Sequence, residues 1–310
     1  MTPRTSVIIP SYNYGRYLPA AMSSVLAQRD GDLELIVVDD GSSDDSVEIA
    51  RACRDRRVRV IAGSHRGLGS TRNTGIRSAR GRYIAFLDAD DVWVPDKLAR
   101  QHAVFDRQPS VGLVYTRFGL IDADGRRRSR GYGYLSPAPS GAVLRYLVRG
   151  NVVGTPSTVC FRHDLVADGV AFDETDTQVE DWHFYLSLAP RCAFAYVPRT
   201  LVFHRQHDAN FQADVPRRLA QSRATAQFAL DQAEAHLKAT PADLRRMQAR
   251  LAAYIDAMAA REYVKAGRLD QARLHAGRAL SRYPWRATEA VLYLCSSLGH
   301  VPRGIVRQLK

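Results

Sequence analysis

The stretch GRYIAFLDADD, residues 81–91, joins an apolar run directly to a cluster of carboxylates. The unbroken apolar run Tyr83–Leu87 is typical of a strand that is buried on both faces of a sheet. Asp88 and Asp90 follow at once, so both side chains can face one Mg²⁺ or Mn²⁺ that also binds diphosphate oxygens. An acidic triplet can equally be an ordinary turn, and Asp91 could cap the next helix. Both interpretations stay open at this level.

Short β-branched runs and amphipathic stretches alternate through the first hundred residues. The pattern predicts strands at 7–9, 35–38, 58–61 and 83–87, with helices between them at 17–28, 46–54 and 71–79. Each crossover helix lets the chain return to a strand that runs parallel to the previous one. The first hundred residues therefore predict an α/β fold with a mainly parallel sheet between helices.

Polar residues gather directly after three of these strands. The clusters are Ser11–Asn13, Asp39–Ser42 and Asp88–Asp91. Ligands of open α/β sheets bind beyond the carboxyl ends of the strands. The three clusters therefore predict one shared pocket at one edge of the sheet.

The pattern becomes less regular after Val111 and turns helical after Asn210. Strand-like runs at 112–116, 157–161, 193–197 and 200–203, helical stretches at 140–148 and 181–188, and a Gly/Arg/Tyr-rich loop at 125–135 predict a mixed second half that closes over the sheet edge. Within the helical region, residues 263–284 resemble one tetratricopeptide-type hairpin. We therefore divide the chain into a domain at 1–210 and a basic helical region at 211–310.

Composition indicates a folded protein with a core. The chain has 310 residues, of which 45% are apolar, enough for one sizeable domain and a smaller one. No apolar run approaches the roughly 18 to 20 residues that cross a bilayer. Four scattered cysteines without a CxxC pair, and no visible signal peptide, favour a cytoplasmic protein with reduced thiols.

The net charge of +12 is concentrated in the helical region, where 17 Lys and Arg stand against 8 Asp and Glu. A solvated basic face is the first interpretation. The second is peripheral contact with an anionic membrane surface or a lipid-linked molecule. Aromatic residues do not interleave with the basic ones, so we expect no nucleic-acid partner. Self-association through the helical tail stays open.

Five segments follow one another within residues 4–210: 6–13 (SVIIPSYN), 34–42 (ELIVVDDGS), 72–76 (RNTGI), 81–91, and 172–174 (FDE) followed by 180–182 (EDW). In this order they resemble the motifs of family 2 glycosyltransferases, which share the GT-A fold. Each motif is modest alone, but five in this order with suitable spacing are specific. The resemblance implies a GT-A nucleotide-sugar-binding fold.

The resemblance also implies which residues hold the nucleotide sugar. Pro10 and Tyr12 would line the base, and Asp40 would hydrogen-bond it. Arg72 would approach the base or the diphosphate, and Asp88 the ribose side. Each residue has a plainer alternative, since Asp40 could be a turn residue before Gly-Ser and Arg72 could pair with a surface acid.

For the chemistry, the resemblance implies that Asp90 binds the divalent cation, Mn²⁺ or Mg²⁺, and that Asp181 is the general base. His207 would be a metal or diphosphate ligand, in the segment HRQH, where His204 replaces the family's usual aromatic residue. The plainer alternatives are that Asp181 only caps its helix and that His207 is structural.

The implied activity is an inverting, metal-dependent transfer of a sugar from a nucleotide-sugar donor, with UDP as the first expectation, to a hydroxyl acceptor. A glycan, a lipid-linked molecule or another glycoconjugate would supply that hydroxyl. The processive members' Gln/Arg-x-x-Arg-Trp motif and membrane helices are missing, which favours single transfer. The alternative is a catalytically inactive nucleotide-sugar-binding scaffold whose helical tail holds a partner. A nucleotidyltransferase is less favoured, because Ser11–Gly15 lacks a Gly-rich, Lys-containing loop.

Overall fold

The computed structural model describes residues 2–129, 138–175, 179–207 and 214–282. The chain forms two compact units. The first comprises Met1–Val143 and Val152–Arg205, and the second comprises Leu144–Asn151 and Gln206–Lys310. The sequence-based division at residue 210 falls in a segment outside the described residues, and it stays a prediction.

Strands and helices alternate regularly only in the first half of the chain. The strands are β1 Thr5–Ser11, β2 Leu33–Asp39, β3 Val58–Ala62, β4 Tyr83–Phe86, β5 Val92–Trp93, β6 Val111–Ile121, β7 Arg127–Ser129, β8 Cys160–Arg162 and β9 Ala193–Arg205. The helices are α1 Leu18–Leu26, α2 Ser46–Ala52, α3 Leu68–Ser78, α4 Lys97–Arg107, α5 Leu144–Leu147, α6 Glu180–Leu188, α7 Val215–Leu237, α8 Pro241–Lys265 and α9 Leu269–Arg282.

The described strands form one sheet in the order β3-β2-β1-β4-β8-β6-β9-β5, with β7 added to β6. The first four strands in this order pair with one another in parallel. Beyond β4 the sheet is mixed, because β8 is antiparallel to both β4 and β6 while β6 and β9 are parallel. The later strands thus extend the same sheet, where the sequence predicted a second half that closes over its edge.

The central strands are buried on both faces, as their unbroken apolar runs predict. One face of β1 presents Val7 and Ile9 to a core that α1 and α4 share. The other face presents Ile8 to α3, where a Cβ added at Gly75 would come within 2.4 Å of the Ile8 side chain. Glycine therefore lets α3 lie directly against the sheet.

Two predicted strands are in fact parts of one. The runs at 193–197 and 200–203 belong to β9, whose pairing with β6 passes from Val197 to Thr200 with a register shift. Pro198 lies in the interruption, and proline has no backbone N–H to donate to a ladder. The sequence pattern showed the break but not the continuity.

The strand predicted at 157–161 begins later in the structure, because a 3₁₀ turn comes first. Pro156–Thr158 forms a 3₁₀ turn, and the Thr155 side chain accepts a hydrogen bond from the Ser157 N–H. A strand follows only at β8. Of the loop predicted at 125–135, Arg127–Ser129 pairs as β7 and residues 130–137 lie outside the described part.

The second unit is helical. Asp214 caps α7, and Thr240 with Asp243 forms a capping box at the start of α8. The hairpin resemblance at 263–284 corresponds to the end of α8, a turn at Gly267 with φ 72°, and α9; Pro284 lies outside the described residues. Of the helices that the structure describes, none has the length and apolar character of a bilayer span.

Lys97 is a fully buried amine in the first unit. Its Nζ donates to the Gln101 side chain at 2.9 Å and to the Val159 carbonyl at 3.3 Å, and it lies 3.8 Å from the centre of the Trp93 ring. Burial lowers the pKa of Lys97 to about 7, from 10.5 in the exposed state. Protonation of this amine therefore opposes folding.

We predict that Lys97 makes the protein more stable as the pH rises from 7.5 to 9.5. In this window the unfolded chain binds the Lys97 proton and the native chain does not, so the free energy of unfolding increases with pH. Relative to Lys97→Met, the wild type should gain about 2–3 kcal/mol over this range in urea denaturation. Parallel pH profiles for the two proteins would contradict the assignment.

Candidate functional site

The three predicted polar clusters lie at one edge of the sheet. β1 and β2 pair in parallel up to Ser11 and Asp39, and the Asp40 N–H donates to the Ser11 carbonyl at 2.8 Å. On the other side of β1, the Leu87 N–H donates to the Ile8 carbonyl at 3.0 Å, so Asp88 leaves the sheet at the same edge. Pro10, the residue before the last one of β1, is buried.

Asn13 ties the first two clusters together. Its backbone has a φ of 58°, a left-handed conformation that asparagine tolerates better than most residues. Its side-chain oxygen accepts the Ser43 N–H at 2.8 Å, and its own N–H donates to the Ser42 hydroxyl at 2.9 Å. The turns after β1 and β2 are therefore fixed to each other.

Asp40 binds the loop that leads into α3. Its buried carboxylate accepts the N–H groups of Arg66 at 2.8 Å and Gly67 at 2.9 Å. His65 Nδ1 lies 3.0 Å from the same carboxylate, and the His65 ring stacks on Tyr12 with 4.2 Å between the ring centres. Tyr12, Asp40 and His65 thus form one half-open polar and aromatic wall, and no sequence motif pointed to His65.

Arg72 connects two parts of the site. Its guanidinium is buried on α3 and donates from one nitrogen to Asp88 at 2.9 Å and from the other to Glu180 at 2.5 Å. Burial alone would lower the pKa of Arg72, but the charges of Asp88 and Glu180 raise it further above its ordinary value. The fixed charge joins the end of β4 to the first turn of α6.

Asp88 is held by further contacts. Its second carboxylate oxygen accepts the Thr155 hydroxyl at 3.2 Å, and its N–H donates to the Ser157 hydroxyl at 3.0 Å. Asp90 is buried close by. Burial, and then the negative charges of Asp90 and Asp88, raise the pKa of Tyr14 above its ordinary range.

Asp91 has a different role from the helix cap considered above. It is fully buried, and α4 begins only at Lys97. Its carboxylate accepts the Ser157 hydroxyl at 2.6 Å and the Arg205 N–H at 2.9 Å, and it lies 3.0 Å from His204 Nδ1. Burial lowers the pKa of His204, but the charge and hydrogen bond of Asp91, together with the charges of Asp90 and Asp88, outweigh burial and raise the pKa to about 9. The imidazolium balances Asp91.

Arg205, the last residue of β9, holds the acidic turn after β4 in place. Its Nε donates to the Asp90 carbonyl at 2.7 Å, and its guanidinium carbon lies 4.9 Å from the centre of the Tyr17 ring. A further nitrogen donates to the carbonyls of Asp122 and Ala123 at 3.2 and 3.1 Å. The late HRQH segment therefore shapes the acidic turn through His204 and Arg205.

Asp181 lies in the first turn of α6, next to the Glu180 that pairs with Arg72. One of its oxygens accepts the Trp182 N–H at 2.6 Å. Trp182 itself is buried, so it serves the core. Tyr185, one turn later, is buried with a hydroxyl that has no hydrogen-bond partner among the described residues.

Seven of the eight predicted site residues lie at this edge or in the network that reaches it. The eighth, His207, is a buried residue of the second unit, and its role stays a prediction, as do the roles of the other seven. Sequence reasoning missed His65, Thr155, Ser157 and Arg205, and assigned no role to Glu180. Two of these had a signal: Glu180 as the neighbour of Asp181 in the EDW motif, and Arg205 as the arginine of the HRQH segment.

The carboxylates fit a hard divalent cation only in part. Among the residues described, no group of three or more His, Cys, Asp and Glu side chains is arranged to hold a metal ion. Asp88 and Asp90 offer oxygen ligands, and Mg²⁺ is commonly held by one or two carboxylates together with substrate phosphates and water. A diphosphate would have to complete the coordination.

The chain belongs to glycosyltransferase family 2. The sequence model described as "Glycosyl transferase family 2" matches residues 6–167, more than half of the chain. The chain is similar to the chondroitin synthase of Escherichia coli, at 38% identity over 215 residues that make up 67% of this chain and 30% of that protein. It spans only 38% and 30% of the lengths of two of its curated relatives.

Two solved structures share the fold. TarS of S. aureus (residues 1–349), in complex with UDP-GlcNAc, has a TM-score of 0.59 at 16% identity and covers 97% of this chain and 93% of its own. Mannosyltransferase PcManGT of Pyrobaculum calidifontis, in complex with GDP-Man and Mn²⁺, has a TM-score of 0.58 at 19% identity and covers 96% and 87%. The predicted GT-A fold and family are confirmed.

We predict that Arg72→Met lowers the free energy of unfolding by about 3–5 kcal/mol, because it leaves two largely buried carboxylates without their cation. The free energy of unfolding of Arg72→Lys should lie between those of the wild type and Arg72→Met, since one ammonium cannot present a planar fork to both acids. Urea denaturation measures each value.

The matched control is Arg77→Met, an exposed arginine on the same helix, which should change stability by no more than about 0.5 kcal/mol. Arg72→Met combined with Glu180→Met should lose less than Arg72→Met alone. A loss below about 1 kcal/mol for Arg72→Met would show that the fork does not stabilise the site.

Proposed function

We propose that this chain transfers a single sugar, with inversion, from a UDP-linked donor to a hydroxyl group of an acceptor in glycan or glycoconjugate assembly. The observation that carries the proposal is the ion-pair chain from Asp88 through Arg72 to Glu180. It ties the acidic exit of β4 to the residue before Asp181. Family membership supports the class of reaction, and the neighbouring structures bind UDP-GlcNAc and GDP-Man.

The donor would lie along the carboxyl edge of the sheet. Tyr12 and Asp40 would contact the base beside the exposed His65 ring, and Pro10 would lie beneath it. Two buried polar atoms at this edge, Ser11 Oγ and Arg72 Nε, have no hydrogen-bond partner among the described residues. Buried polar groups in native proteins are nearly always paired, so these two atoms favour a polar ligand here.

Asp181 would act as the general base. As the acceptor oxygen attacks the anomeric carbon, Asp181 takes its proton, and the bond from that carbon to the diphosphate breaks on the opposite face. The sugar therefore changes its anomeric configuration. Glu180 is held in the ion pair with Arg72, so we assign the base role to Asp181 and not to Glu180.

A divalent cation, Mn²⁺ or Mg²⁺, would be held by Asp90 and Asp88 with the donor's oxygens. When bound, it would offset the negative charge that develops on the leaving diphosphate. Asp91 would not compete for it, because His204, Ser157 and the Arg205 N–H already surround that carboxylate. His207 remains a further candidate ligand.

We predict that Asp181→Asn lowers the transfer rate by at least about 100-fold, the contribution of a positioned general base. The amide keeps the shape of the side chain but cannot accept the proton. The affinity for UDP with Mn²⁺, measured by calorimetry, should stay within about twofold, since the proposed role of Asp181 concerns the acceptor and not the nucleotide. The donor is chosen first by thermal-shift screening with UDP, GDP, dTDP and CDP sugars.

Asp168→Asn, which changes an exposed aspartate of the same unit, is the matched control and should transfer at the wild-type rate. Normal turnover by Asp181→Asn would refute the base assignment. A wild type that binds UDP but transfers to no hydroxyl acceptor would instead support the inactive scaffold.

We predict that EDTA abolishes transfer and that Mn²⁺ or Mg²⁺ restores it. Asp90→Asn should weaken Mn²⁺ binding in the presence of UDP by at least about tenfold, because it removes one charged oxygen ligand. Electron paramagnetic resonance of Mn²⁺ measures the binding without any turnover. Full activity in EDTA, or unchanged Mn²⁺ affinity in Asp90→Asn, would exclude the metal site.

A further inference from the structure

A cavity of about 470 Å³ lies at the opposite edge of the sheet from the candidate active site. Its lining residues come from the segment before β1, from the turn before β4 and from the end of β8 onward: Thr2, Arg80, Gly81, Arg82, Arg162, His163, Asp164 and Ala167. β4 starts next to the cavity at Tyr83 and leads to Asp88. Five residues of strand span about 16 Å, so the cavity and the acidic turn are separate places.

The cavity is strongly basic. Three arginines and one aspartate line it, which leaves a net charge of +2. Among the residues that the structure describes, none places a carboxylate within 4.0 Å of the guanidinium of Arg80, Arg82 or Arg162. Elsewhere in this unit, arginines such as Arg57, Arg59 and Arg72 have such partners.

The backbone holds the arginines in place. The N–H groups of Arg80 and Gly81 donate to the Ser6 hydroxyl at 3.1 and 2.8 Å, and that of Arg80 also donates to Glu34 at 2.8 Å. A Cβ on Gly81 would lie 2.5 Å from the Ser6 nitrogen. The turn is therefore pinned to β1, and Arg80 and Arg82 flank it.

Arg162 supplies the buried part of the cavity. One terminal nitrogen donates to the Pro109 carbonyl, while its Nε is buried without a hydrogen-bond partner among the described residues. The next residue, His163, is fixed by its Nδ1 at 2.9 Å from the Gly81 carbonyl and by its N–H, which donates to the Arg82 carbonyl at 3.0 Å. The two arginine-bearing segments are thus joined directly.

We propose that this cavity, the far-edge arginine site, binds a phosphate-bearing anion. Planar guanidinium groups match the oxygens of phosphate and donate to them in pairs. Since none of the three guanidinium groups has an ion-pair partner among the described residues, an anion that enters the cavity does not have to displace one. The cavity is far larger than the roughly 30 Å³ that one water takes up in the liquid, which leaves room for an organic group attached to the phosphate.

The same chemistry serves a lipid head group and a soluble phosphate, so the test has two arms. The first measures co-sedimentation with phosphatidylglycerol vesicles, against phosphatidylcholine vesicles as the neutral reference. The second measures thermal shifts with sodium phosphate, against sodium chloride at equal ionic strength. EDTA is present and nucleotide is absent throughout, which keeps the donor site from binding phosphate through a metal.

The test variant is Arg80→Gln with Arg82→Gln, two exposed residues whose side chains make no ion pair in the described structure. The matched control is Arg51→Gln with Arg107→Gln, which removes the same charge from exposed helical positions of the same unit. Both proteins keep the basic helical region, so any binding through that region is common to them. Arg162→Gln is a third variant, which removes the half-buried arginine and should also weaken binding.

In the arm that corresponds to the natural source, the test variant should bind at least tenfold more weakly than the wild type and the control. Asp164→Asn, which removes the acidic lining residue, should bind more tightly. Loss in the vesicle arm identifies a head group, and loss in the phosphate arm alone identifies a soluble phosphate. If the test variant matches the control in both arms, the far-edge arginine site does not exist.

Discussion

The buried guanidinium of Arg72 is the interaction on which the candidate site depends. Its two terminal nitrogens bind one carboxylate from the end of β4 and one from the start of α6. The two acids are 92 positions apart in the sequence, at Asp88 and Glu180. Two such acids would repel each other in a low-dielectric setting, so their approach requires a cation that cannot lose its proton. The residue next to Glu180 is placed by the same contact.

The first four strands could be predicted because their signal is local. Runs such as Tyr83–Leu87 are apolar without interruption, and polar residues mark the point where each strand ends. Parallel strands share one carboxyl edge, so placing Tyr12, Asp40 and Asp88 together needed no knowledge of distant contacts. The family motifs added Asp181 by resemblance, since nothing in the local pattern of α6 relates it to β4.

The rest depends on contacts between residues far apart in sequence. β9 was divided in two by Pro198, and its continuity is set by the pairing with β6. Asp91 could not be distinguished from a helix cap, because its partners His204, Arg205 and Ser157 lie at least 66 positions away. His65 has no sequence signal at all. It acquires a place beside the base-binding residues only when Asp40 fixes the loop before α3.

The close approach of α3 to the sheet links backbone geometry to electrostatics. Gly75 touches Ile8 without room for a methyl group, and Arg72 stands one turn earlier on the same helix. Alanine at position 75 would require either the Ile8 side chain to shift or the helix to move away from β1, and a moving helix would carry the guanidinium away from both of its acids. A change that introduces no charge and removes no hydrogen bond would in this way loosen the acidic corner. The distance between α3 and β1 thus determines how closely the Arg72 guanidinium can approach the carboxylates of Asp88 and Glu180.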